Sequence, residues 1–312
     1  MRKRALAVML AALMVLGGCG SPVTVEAGWL DGPDVNDPSL TDASYRVSTR
    51  PGLTLADRTR PVVIGVHGFT ASTFEWQEFR DHAEGSSPVL VSLVLLGGHG
   101  RTVDEFRASS WRDWGDPILV EYRALVAQGY TNISLAGSST AGALMLEQVA
   151  SGRFEELPNP RHIFLIDPIV VATDKSLSLI PLLKYLVSNV VSEGTAGEAS
   201  HWYANRPAEA LAQLNQLIGR VRSQLARGVV LPTGTRAKVY KTSSDPTADP
   251  VSALLIYKGL RTADGQTVDV QMLPSTLHVF TRLLGRDPAT VSEADRRRQM
   301  DAFQEMIQKV SQ

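Results

Sequence analysis

Two serines stand side by side in the stretch LAGSSTAGALM, which runs from Leu135 to Met145. A serine hydroxyl becomes a nucleophile only when a base takes its proton and a third group orients that base. Chemistry of this kind also needs a sharp strand-to-helix turn that lifts the hydroxyl clear. The turn is strained and tolerates only small side chains two positions to either side. With Ser138 at the apex those positions are Ala136 and Thr140, and a branched threonine would sit where the helix passes closest. With Ser139 at the apex they are Gly137 and Ala141. Ser139 is therefore the candidate nucleophile. Ala141 adds a single methyl to the more usual second glycine, and Gly142 leaves room for close packing.

The chain offers six histidines as bases. His82 and His162 read as a helix-surface and a strand-start residue. His67 and His99 each precede a glycine after a strand, a placement that shapes loops. His201 lies in the segment expected to cover the site and is a candidate pocket residue. His278, in LPSTLHVF, follows the last strand, where the loop can return it over the sheet end. Three carboxylates compete to orient the base. Asp245 lies a few residues past Val239 and Tyr240, in a loop stiffened by Pro246. Asp249 is its rival, with Pro250 opening a helix behind it. Asp167 stands at a strand end before Pro168 and would serve a different arrangement. An oxyanion needs donors, and the backbone N–H groups of Thr140 and of Phe69, after VIGVHG, are the candidates. Gly68 lets the Phe69 amide turn inward, and the Phe69 ring supplies an apolar wall.

These residues need a scaffold, and the pattern from Arg60 onward provides one. PVVIGVHG, PVLVSLVLLGG, TNISLAG and RHIFLIDP are short buried runs, each followed by a helical pattern or a break. Strands without in–out alternation, separated by helices, predict a parallel sheet covered on both faces. Sites in such sheets lie beyond the C-terminal strand ends, where His67, Ser138, Ser139 and Asp167 all fall. Between Ile169 and Glu198 the regularity fails. The leucine- and valine-rich run there predicts a cap whose Leu177, Leu182 and Leu186 line a pocket. A long amphipathic helix follows, with Pro207 near its start. The last helix opens at Ser292 as N-cap.

Composition narrows the field further. Lys and Arg number 31 against 32 Asp and Glu, and no basic stripe lies outside the N-terminus, which argues against a nucleic-acid partner. Cys19 is the only cysteine, so neither a thiolate metal site nor a cysteine nucleophile is available. Residues 1–18 read as a signal segment: Arg2–Arg4 precede twelve apolar residues, Ala5–Leu16, too short a run to span a bilayer. Leu16-Gly17-Gly18-Cys19 resembles the lipobox of bacterial lipoproteins. That resemblance implies lipidation at Cys19, export to the cell envelope with outer-membrane sorting, and a membrane partner through the acyl chains. Residues 19–59, rich in Pro, Asp, Ser and Thr, read as a tether and an irregular lead-in. Residues 60–312 are expected to form one domain that carries the candidate catalytic residues, with a cap inserted at about 169–205.

Taken in order, VIGVHGFTASTFEW, LLGGHG, LAGSSTAGALM, SSDPTADP and STLHVF resemble the bacterial carboxylesterase and monoacylglycerol lipase group of the α/β-hydrolases. The helix WYANRPAEALAQLNQLIGRVRSQL is similar as well, and Ala141 is the departure from the group's elbow. The resemblance implies an α/β-hydrolase fold with a small helical cap. It also implies a triad of Ser139, Asp245 and His278 in that chain order, and an oxyanion hole from Phe69 and Thr140. No cofactor and no metal are implied. The expected reaction is hydrolysis of uncharged aliphatic esters through an acyl-enzyme. A monoacylglycerol or triacylglycerol lipase is the nearest rival, and amidase, thioesterase and polyester hydrolase share the same triad. An envelope lipoprotein that uses the fold for binding alone is the alternative of another class.

Overall fold

The computed structural model describes residues 43–312 apart from 52–53, 181–188 and 192–194. Cys19, the signal segment and most of the tether lie outside the described residues, as do Leu182 and Leu186. No described helix is long and apolar enough to cross a membrane.

Six strands form one sheet: β1 (Val62–Val66), β2 (Leu90–Val94), β3 (Ile133–Ser138), β4 (His162–Ile166), β5 (Arg236–Thr242) and β6 (Asp269–Leu273). Their spatial order is β6-β5-β4-β3-β1-β2 and every neighbouring pair is parallel. Every residue of β1, β2 and β3 is buried, as expected for strands covered on both faces. The edge strand β2 is paired on its outer side by Thr49, which exchanges two 2.8 Å backbone hydrogen bonds with Leu93.

Two apolar layers enclose the sheet. On one face Phe79, Phe303 and Met306 of α1 (Gln77–Ser86) and α7 (Glu293–Val310) pack with Trp76 and Phe164. On the other lie α2 (Val103–Ala108), α3 (Trp111–Ala127), α4 (Thr140–Ala150), α5 (Ala208–Arg227) and α6 (Val251–Gly259). Helix α4 is buried all round because α5 covers the side turned away from the sheet, so TAGALMLEQV carries no polar stripe. The helix starts follow the sequence: Thr102, Ser110 and Ser292 cap α2, α3 and α7, each closing a capping box with an acid three residues on.

Register decides what the sheet presents at its C-terminal end. Val66 lies opposite Gly137, Ser138 opposite Ile166, and Ile166 opposite Tyr240. The next residues of the three central strands, Ser139, Asp167 and Lys241, therefore emerge in one row, and the loop after Val66 arrives beside them. Two backbone bonds of 2.9 Å, Ser139 N to Ile166 O and Asp167 N to Tyr240 O, hold that row. The described part of the segment between β4 and α5 comprises a 3₁₀ turn at Lys175–Leu179, a helical turn at Ala196–Ala199 and an antiparallel ribbon of Asn189–Val191 with Asn205–Pro207.

Candidate active site

Ser139 is the N-cap of α4 with φ 51° and ψ −112°, a backbone state that an L-residue adopts only under constraint. Its flanks show why small residues are needed. A Cβ on Gly137 would stand 2.7 Å from Met145 Sδ and 3.1 Å from the Ala141 carbonyl carbon; one on Gly142 would stand 2.9 Å from Pro168 Cβ. Ala141 is fully buried and fits. Ser138 points the other way, into the sheet end. Its hydroxyl donates to Glu75 Oε1 and accepts 3.2 Å from Trp76 Nε1, so it is bound on both sides. Of the two serines, Ser139 is the one on the cavity wall.

That cavity has a volume of about 620 Å³, ample for a small ester. Ser139, Thr140, Phe69 and His278 share its wall with Ile169, Leu177, Leu211 and Leu214. Leu177 lies on that wall. His201 does not: Trp202 and Tyr203 line the cavity, while the His201 ring stacks on Phe74 with centroids 3.7 Å apart. An aromatic group of Tyr45, Phe74 and Trp202 surrounds that imidazole and accounts for its turn away from the cavity.

His278 Nδ1 lies 2.8 Å from Asp245 Oδ2. The other oxygen of Asp245 accepts the Thr247 and Ala248 amides at 2.7 and 3.0 Å, in the turn stiffened by Pro246. Burial pushes the Asp245 carboxyl up, but the hydrogen bond and charge of His278, then the charge of Lys241, outweigh burial and hold it at about 2. Asp249 is engaged elsewhere, with Lys175 at 2.7 Å. Asp167 bonds no histidine; its Oδ1 accepts Lys241 Nζ and both donors of Thr242, and its Oδ2 accepts the Phe280 amide at 3.3 Å. Asp167, Asp245 and His278 have the composition of a divalent-metal site, with ligand atoms all within 4.8 Å of one another. The space between the two carboxylates already holds a cation, Lys241 Nζ, at 2.9 Å from Asp167 and 2.5 Å from Asp245.

The loop after β1 comes close to the elbow: a Cβ on Gly68 would stand 3.0 Å from Ser139 Cβ. His67 and His99 shape this loop from below. Each leads its Nδ1 to a backbone carbonyl, of Gly68 and of Gly97, and each Nε2 accepts a backbone amide, of Leu96 and of Thr70. Accepting nitrogens make both rings neutral. Burial, with the neighbouring His99, drives His67 well below the usual imidazole range, and burial lowers His99 to about 4.

Three further groups escaped the sequence reading. Glu75 Oε1 accepts the Gly68 amide at 2.8 Å as well as the Ser138 hydroxyl, tying the loop to the elbow. Lys241 is completely buried between two carboxylates. Arg286 Nη2 donates to the His278 carbonyl. Glu75 falls inside VIGVHGFTASTFEW and Lys241 and Arg286 outside the segments that carry the resemblance, and the role of each shows only through partners elsewhere in the chain.

No protein-family model matches the chain, and no curated protein matches it. Solved structures do. A metagenome-derived lipolytic enzyme superposes with a TM-score of 0.64 at 21% identity, covering 85% of this chain and 98% of that one. The fold is that of the α/β-hydrolases. A soluble variant of the monoglyceride lipase of Saccharomyces cerevisiae gives 0.63 at 12% identity, over 84% of this chain and 89% of its own. The monoacylglycerol lipase of Paleococcus ferrophilus gives 0.60 at 12% identity, over 80% and 96%. In this chain Ser139 follows β3, Asp245 lies in the loop after β5 and His278 in the loop after β6.

Proposed function

We propose that this chain is a serine hydrolase acting on carboxylic esters, with Ser139 as nucleophile, His278 as general base and acid, and Asp245 as the group that orients the ring. The observation that carries this reading is the 2.8 Å contact of His278 with Asp245, beside a cavity that also holds a serine on a strained strand-to-helix bend. Ser139 attacks the ester carbonyl while His278 takes its proton and then passes it to the leaving alcohol. The Phe69 and Thr140 amides receive the developing oxyanion; Thr140 is the first residue of α4, so its amide has no partner within the helix. Water, activated by His278, releases the acid. Among the described residues no hydrogen bond joins the Ser139 hydroxyl to the imidazole. Such contacts commonly close only once substrate is bound.

Ile169, Leu177, Leu211 and Leu214 offer an apolar stretch of wall for an aliphatic acyl group, in a cavity that Glu198, Arg206, Arg282 and Arg286 also line. The lipolytic and monoacylglycerol-lipase structures share this fold, which supports the same class of substrate; a monoacylglycerol lipase is the second reading. We also propose residues 1–18 as a lipoprotein signal, Cys19 as the lipidated residue and 169–205 as the cap. Turnover of p-nitrophenyl esters of increasing acyl length, in wild type and Ser139→Ala, tests the assignment. The variant is expected to lose roughly 10⁴-fold or more in kcat. Unchanged turnover in the variant removes Ser139 as nucleophile, and absence of turnover in wild type leaves the chain a binding protein.

A further inference from the structure

Lys241 has no role in the reaction proposed above, yet it occupies the centre of its machinery. Its side chain is completely buried, and so are those of Asp167 and Asp245. Burying an ammonium is costly, and an apolar residue at this point in the sheet would be the cheaper solution unless the charge is needed. The need is visible in the row of strand ends. Asp167 and Asp245 bring two carboxylates within 4.8 Å of the His278 ring nitrogen, and Lys241 Nζ touches both. Its contact with Asp245 is to Oδ2, the same oxygen that meets His278 Nδ1.

Resting on the esterase reading, we propose that Lys241 is a positioning residue of the acid–base pair: its buried charge cancels that of Asp167 and pins the Asp245 oxygen that His278 uses. With both carboxylates ionised and the ring neutral, the cluster carries one net negative charge, and it becomes neutral when His278 takes the serine proton. Without Lys241 it would carry two. A charge within about 4–6 Å moves a titration by about one to three pH units. An uncancelled Asp167 would therefore keep the ring protonated, and useless as a base, to higher pH. The remaining charges around His278 belong to other elements: Arg286 on its carbonyl, Arg282 paired with Glu198, Glu75 across the elbow, and Lys175 with Asp249 at the cap. Arg286 also feels the charge of Asp167, and Asp249 that of Lys241, but every one of these groups is retained in all three variants.

The test is a charge cycle on the full chain: Lys241→Met, Asp167→Asn and the double variant. The readout is the pH titration of the His278 ring by proton NMR, with His278→Ala to assign its signal, beside the acidic limb of ester kcat/KM. Lys241→Met should raise the midpoint by about one pH unit or more, and Asp167→Asn should lower it by a similar amount. The double variant should return to within about half a unit of wild type. A residue that only fills space would shift the unfolding temperature but would not give opposite signs. Should Lys241→Met fail to fold, Asp167→Asn against the double variant still carries the comparison. A midpoint that stays put or rises in Asp167→Asn overturns the proposal. Midpoints that move as expected in a chain without ester turnover support it and overturn the esterase reading instead.

Discussion

Replacing Glu75 by alanine removes the acceptor that ties the loop after β1 to the elbow. Two donors share Glu75 Oε1, the Gly68 amide at 2.8 Å and the Ser138 hydroxyl. They are not equally stranded by the loss. Ser138 Oγ already lies 3.3 Å from Val66 O and can swing its proton there. The Gly68 amide is buried and has no such recourse. A hydrogen bond to a charged acceptor contributes about 1.5–3 kcal/mol, so the cost in stability should be about 2–3 kcal/mol. In a domain of this size that corresponds to a drop of roughly 4–12 °C in unfolding temperature. The Phe69 amide follows Gly68 directly, and losing one oxyanion donor costs roughly 10²–10³ in kcat. The expected result for Glu75→Ala, measured well below its unfolding temperature, is a kcat reduced at least about tenfold with KM little changed. Glu75→Gln keeps an acceptor oxygen and should recover most of that loss. Wild-type kcat in Glu75→Ala would refute the link between this carboxylate and the oxyanion loop.

Two other outcomes follow from the same geometry. Gly137→Ala drives a methyl to 2.7 Å from Met145 Sδ and 3.1 Å from the Ala141 backbone, so the elbow must shift. A loss of about 1–3 kcal/mol in urea unfolding is expected, with kcat falling more than the folded fraction accounts for; equal kcat would show that the bend has slack. Buried His99, held near 4 against an ordinary 6.5, takes up its proton less readily in the fold than in the unfolded chain. Its contribution is complete above pH 6.5 and drains away as pH falls toward 4, roughly 3 kcal/mol over that window, with His67 acting in the same direction. Denaturation at pH 7 and pH 4.5 should show the fall, and His99→Asn should flatten it.

Much of this architecture was legible in the sequence because its signals are local. Buried apolar runs ended by glycine, a G-x-S-x-A between strand and helix, and capping boxes each lie within a few neighbouring residues. The size of four flanking residues favours Ser139 over Ser138 as the candidate nucleophile, and distance from the strand favours Asp245 over Asp249 as the candidate acid. What could not be read depends on contacts across the chain. Lys241 reads as one more polar residue in RAKVYKT, and only the register of β4 with β5 sets it beside Asp167. Glu75, in TFEW, looks like the wet face of an amphipathic helix; the chain there is a 3₁₀ turn that directs the carboxylate inward. His201 and Trp202 are adjacent, and no periodicity tells which of two neighbours turns toward a cavity.

Thr70, Ser139, Asp167 and Val279 are the non-glycine residues with positive φ among the described residues, and all gather where the loops meet at the sheet end. Each such backbone state costs about 1–3 kcal/mol against a relaxed one. The molecule thus concentrates its conformational tension in one small zone and relies on the two apolar layers to sustain it. Engineering for heat tolerance that begins by relaxing these four positions would harden the protein at the expense of the rigidity its chemistry draws on.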